Sequence, residues 1–137
     1  MITASKTELL QLLSSIEGLV FVGGTSEYIQ GIKNTLRDID IVVPIDTNLS
    51  NFGWVFKSKD EHCFLSKDRG VIITKNCYID IFFTNNTINT ISINGYTCQI
   101  VKDMINIQKK IIEYGYIKNG IHRHKVTTTI NRLINYF

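Results

Sequence analysis

Residues 21–43 read FVGGTSEYIQGIKNTLRDIDIVV, and the last six of them, DIDIVV, decide the fold. The apolar positions read as a buried strand, yet two aspartates interrupt them. Side chains alternate faces along a strand, so Asp38 and Asp40 share one face while Ile39 and Ile41 share the other. Two like charges side by side repel, and a strand is a poor place to hide them. A divalent cation is the natural partner for such a pair. The competing reading is an exposed edge strand carrying two solvated acids.

Upstream, residues 19–22 form a short apolar run and read as a strand, broken by Gly23-Gly24. Thr25 or Ser26 then caps a short helix to about Ile32, and residues 33–36 form a loop. Glycines let backbone amides approach a phosphate, and a helix N-terminus adds unpaired N–H groups and positive dipole. Thr25 and Ser26 add hydroxyl donors. A Gly-Gly turn can equally be only a turn. Downstream, residues 77–83 read CYIDIFF, with Asp80 on the face opposite Ile79 and Ile81. A lone strand acid can face solvent, but three acids on two strands beside a phosphate-cradling turn form a constellation.

The remaining elements follow from periodicity. Ser5 to Glu8 fits a capping box, with Leu9, Leu10, Leu12 and Leu13 as the apolar stripe of a helix ending near Gly18. Strands are expected near 54–56 and 63–65, and at 70–74 and 77–83 about a Lys75-Asn76 turn. Residues 88–93 and 96–100 flank Asn94-Gly95, a strong hairpin signal. Asp103 opens a helix to Tyr114, Asn119-Gly120 lies in a loop, and a last helix spans about 124–136. The order implies one α+β, or mixed α/β, domain over 1–137 with a central sheet.

Composition sets limits on function. Apolar residues are 44% and charged residues 20%, as in ordinary globular chains. No apolar run nears the roughly 20 residues that span a bilayer. The N-terminus MITASKTELLQLL lacks a signal-peptide pattern, so a cytoplasmic protein is expected, with no membrane partner. Cys63, Cys77 and Cys98 form no CxxC and are expected as reduced thiols. The net charge of +3 permits nucleic-acid contact without arguing for it. Heavy use of Ile and Asn with a single Pro suggests an AT-rich coding background, such as a phage or low-GC bacterium.

Gly-Gly, a spacer, Asp-x-Asp in an apolar strand and a third strand Asp together resemble the DNA polymerase β-type nucleotidyltransferase superfamily. Asp38 follows Gly24 by 14 positions. With Gly23, Gly24, Thr25, Gly31, Thr35, Asp38 and Asp40, the stretch is similar to the AbiEii/MenT-type nucleotidyltransferase toxins and their small relatives. The likeness extends over about 21–133, including the Asn94-Gly95-Tyr96 turn and RHKVTTTINRL at 123–133. The resemblance implies a polymerase β-like fold, a central mixed sheet flanked by helices, and Mg²⁺-dependent (or Mn²⁺-dependent) transfer of a nucleoside monophosphate from an NTP. Asp38 and Asp40 would hold two metal ions, with Asp80 joining one and acting as base for the attacking hydroxyl. Gly23, Gly24 and Thr25 or Ser26 would hold the β- and γ-phosphates. The family's triphosphate-binding Lys falls on Gln108 or Lys109. Acids that relatives carry in the last helix are absent from 123–129, which read RHKVTTT.

The acceptor implied is a hydroxyl of RNA (a tRNA-like end is favoured), a protein or a small molecule. A toxin–antitoxin or phage-defence setting goes with it, in a bacterial cytoplasm or a phage's host. A second copy or a cognate partner protein could complete the acceptor groove. The alternative is a catalytically silent relative that binds nucleotide, RNA or a protein. An aminoglycoside-type transferase fits less well, because such enzymes carry a larger acceptor domain. Among other candidates, His122 and His124 lack a third metal ligand, His62-Cys63 has no support for thiol catalysis, and Lys109-Lys110 can be a solvated helix face. Trp54, Phe56, Phe64, Tyr78, Phe82 and Phe83 read as sheet packing, with one of them available to stack on a base.

Overall fold

A computed structural model describes residues 1–60 and 63–136. The chain divides into two compact units, Met1–Gln99 and Ile100–Phe137. The first carries helices α1 (Lys6–Ser14) and α2 (Gly23–Ile29). Its strands are β1 (Val20–Phe21), β2 (Ile39–Pro44), β3 (Val55–Lys59), β4 (Asp68–Ile73), β5 (Tyr78–Thr84), β6 (Thr90–Ile93) and β7 (Tyr96–Gln99). They form a seven-stranded sheet in the order β3-β4-β5-β2-β1-β7-β6. It is mixed: β2 runs parallel to β5 and β1 to β7, while the other neighbours are antiparallel. The expected mixed α+β architecture is therefore present.

Alternation in β2 and β5 sorts the two faces. Ile39, Ile41, Val43, Ile79, Ile81 and Phe83 enter the main core with Phe21, Ile72 and Cys98, and α1 covers them with Leu9, Leu10 and Leu13. Leu12 lies off that stripe and is exposed. The opposite face carries a smaller cluster of Val20, Val22, Val42 and Phe82, joined by Cys63, Leu65 and Ile88. By the same alternation this second face carries Asp40 and Asp80.

Local chemistry explains where elements begin. Ser5 Oγ accepts from the Glu8 N–H and Glu8 Oε1 accepts from the Ser5 N–H, the expected capping box. Asn94 and Gly95 both take positive φ, 51° and 85°, as the tight hairpin between β6 and β7 requires. Helix α2 begins earlier than expected, at Gly23, with Val22 as its cap residue and no side-chain cap; it ends at Ile29 rather than Ile32. Thr25 and Ser26 are thus inside the helix and do not cap it. Residues 63–65 form no strand. Cys63 and Leu65 are apolar because they pack on the second-face cluster.

The second unit holds α3 (Val101–Glu113) and α4 (Gly120–Tyr136). Helix α3 starts before Asp103, which sits in its first turn. Helix α4 starts four residues before His124 because Asn119 caps it, its Oδ1 accepting from the His122 N–H at 2.8 Å. His122 Nδ1 in turn accepts from the Lys118 N–H, so that histidine serves the helix end. Among the described residues no helix is long and apolar enough to cross a membrane.

Candidate functional site

The site grows from the pairing of β2 with β5. In this parallel register Asp40 lies directly opposite Asp80, bringing two carboxylates onto adjacent strands of the second sheet face. Asp38 immediately precedes β2, and its Oδ1 accepts from the Tyr78 N–H at 3.0 Å, so its carboxylate ties the start of β5. All three aspartates are partly buried.

The Gly-Gly turn meets these acids directly. Gly23 has φ of 54°, and a Cβ built there would lie 3.0 Å from Asp40 Oδ2. Position 23 therefore needs glycine for its conformation and for its contact with the carboxylate. Gly24 has no such constraint; the nearest atom to a Cβ built there is Lys33 Nζ at 3.5 Å. Thr25 and Ser26 are fully buried. Thr25 Oγ1 accepts from the Asp40 N–H at 2.8 Å and donates to the Asp38 carbonyl, which fixes the backbone on either side of Ile39. Ser26 Oγ donates to the Gln99 carbonyl and accepts from Gln30 Nε2. Both hydroxyls hold helix to sheet.

Two lysines that the sequence does not single out stand here, one at an acid and one at the Gly-Gly turn. Lys57 on β3 reaches Asp80, Nζ to Oδ1, at 2.7 Å. Lys33 brings its ammonium to 3.5 Å from where a Cβ on Gly24 would stand, and its side chain makes no hydrogen bond or ion pair with any described residue. The sequence signal for Lys33 was its place in the spacer between Gly24 and Asp38; Lys57 had none. Lys109 lies on α3 in the helical unit, exposed. His62 falls outside the described residues.

The aromatic residues divide by role. Trp54 packs on Phe83 with ring centroids 5.0 Å apart, and Phe82 lies under the Arg69 guanidinium at 4.5 Å. Tyr78, two residues before Asp80, is more than half exposed. All three cysteines are free; burial raises the Cys77 thiol above its ordinary value and pushes Cys98 up to about 11, so neither is a nucleophile at neutral pH.

Among the described residues no group of three or more His, Cys, Asp or Glu side chains is gathered to hold a metal ion. The Asp40–Asp80 pair still suits Mg²⁺ by its chemistry. That ion is ordinarily held by one or two carboxylates, with phosphate and water completing its shell. No protein-family model matches this chain, and no curated protein matches it.

Proposed function

We propose that this protein is a divalent-metal-dependent nucleotidyltransferase that moves a nucleoside monophosphate from an NTP to a hydroxyl of RNA. The observation that carries this reading is Asp40 opposite Asp80 on parallel strands, with the Gly23 backbone packed against Asp40. Asp40 and Asp80, with Asp38 beside them, would hold Mg²⁺ or Mn²⁺. When bound, such an ion polarises the phosphoryl group and offsets charge on the departing pyrophosphate.

The chain's own groups do the rest. The Gly23-Gly24 backbone and the Lys33 ammonium receive the β- and γ-phosphates. Asp80 accepts the proton of the acceptor hydroxyl, whose oxygen attacks the α-phosphorus as the bond to the β-phosphate oxygen breaks and pyrophosphate leaves. Thr25 holds Asp38 and Asp40 in place through their backbone, so the acids stay oriented through the step.

Charge distribution favours RNA as the acceptor. Ile100–Phe137 holds seven Lys and Arg against two Asp and Glu, a formal +5, whereas Met1–Gln99 holds eight against ten, a formal −2. Lys102, Lys109, Lys110, Arg123 and Lys125 are exposed. An excess of exposed positive charge attracts a phosphate backbone irrespective of sequence. The cytoplasm supplies both NTP and RNA.

One pair of contacts favours a second reading, a silent nucleotidyltransferase-like protein that binds without transfer: Asp38 is committed to the Tyr78 N–H and Asp80 to Lys57. Pyrophosphate release separates the two. Transfer predicts release that requires NTP, RNA and Mg²⁺ or Mn²⁺, and that Asp40→Asn abolishes. NTP binding with no release from any NTP would favour the silent reading.

A further inference from the structure

Lys57 stands on the carboxylate row through a specific irregularity of the sheet. β3 is an edge strand, with β4 between it and β5. Pairing of β3 with β4 shifts between Phe56 and Ser58, which leaves Lys57 as the extra residue of a β-bulge. Val55, Val71, Asp80 and Asp40 lie in one row across β3, β4, β5 and β2. The bulge therefore adjoins the outer end of the row whose inner end is the acid pair, and it lets Lys57 reach over β4 to Asp80 Oδ1 at 2.7 Å. The Lys57 side chain is 41% exposed and that of Asp80 17%, so the contact is close yet open enough to water to exchange.

We propose that Lys57 is the resident counter-ion of Asp80, which a divalent cation displaces on entering the Asp40–Asp80 pair, so that Lys57 sets the metal concentration at which the site fills. This rests on the nucleotidyltransferase reading above. An ammonium and a metal ion compete for the same carboxylate oxygen and repel each other if both remain. Lys57 thus has two opposite effects. It offsets the repulsion between Asp40 and Asp80 in the metal-free fold, and it weakens metal binding. Loss of the ammonium stabilises the metal-bound form relative to the metal-free one.

The test is Mn²⁺ binding to the full chain without nucleotide, read by electron paramagnetic resonance of the free ion. Lys57→Gln is expected to bind Mn²⁺ about two- to fivefold more tightly than wild type, the range a half-exposed ion pair supports. Lys57→Arg should stay near wild type. Lys59→Gln, the same charge change two residues along the strand, should also leave affinity unchanged. Asp80→Asn should weaken binding more than about tenfold. If Asp80→Asn weakens binding but Lys57→Gln does not tighten it, or Lys59→Gln tightens it equally, the counter-ion role fails while the two-carboxylate site stands. If Asp80→Asn binds as wild type does, both fail.

Discussion

Replacing Gly23 and Gly24 one at a time by alanine separates two neighbouring glycines that the sequence makes look equivalent. At position 23 the new side chain meets two obstacles. A φ of 54° costs an L-residue about 1–2 kcal/mol, and the methyl lands 3.0 Å from Asp40 Oδ2 and pushes that carboxylate aside. Together these come to about 1–3 kcal/mol of lost stability. At position 24 the methyl meets only the mobile end of Lys33 at 3.5 Å, and alanine in a helix is favoured over glycine by no more than about 1 kcal/mol. Gly24→Ala should therefore be neutral or mildly stabilising. Urea denaturation with linear extrapolation reads both variants on one scale. Equal destabilisation by the two substitutions, or a neutral Gly23→Ala, would refute the close approach of the turn to Asp40.

Other expectations follow from the same contacts. Thr25→Val leaves the part-buried Asp40 N–H without its acceptor and should cost about 1 kcal/mol in urea denaturation, whereas Thr25→Ser should recover most of the loss. Cys98 is raised from 9.0 to about 11 by burial, so the unfolded chain releases that proton first. Its contribution to stability is full below pH 9 and is lost as pH rises to about 11. Denaturation midpoints should fall across that window, and Cys98→Ala should flatten part of the fall. A thiol reagent at pH 8 should leave Cys77 and Cys98 unmodified until the protein unfolds. Asn119→Ala should fray the start of α4 and lower its helicity by circular dichroism, at a cost of about 1 kcal/mol.

What could be read from the sequence follows from burial. β2 and β5 pack Ile against the core at every second position, so their alternation exposed both the strands and the face that carries Asp40 and Asp80. β3 has no such pattern: four of its five residues are exposed, because it is an edge strand, so the sequence marks only 54–56 where the strand runs Val55–Lys59. The apolar residues Cys63 and Leu65 mimicked a strand while packing from an irregular segment. Asn119-Gly120 has the composition of a turn, and only the hydrogen bond to His122 marks it as a helix start. Thr25 is visible to sequence reasoning as a hydroxyl near a glycine turn. That its hydroxyl serves the Asp38 and Asp40 backbone depends on the packing of α2 against β2. The Lys57–Asp80 contact depends on a one-residue slip in pairing, which no local pattern encodes.

The most direct test of the proposed chemistry is incubation of the protein with each α-³²P-labelled NTP, Mg²⁺ and total cellular RNA, beside an Asp38→Asn/Asp40→Asn double variant confirmed to be folded. The account predicts label entering RNA with at least one NTP for the wild type and none for the variant. Absence of label with every NTP, or equal labelling by the variant, would contradict it.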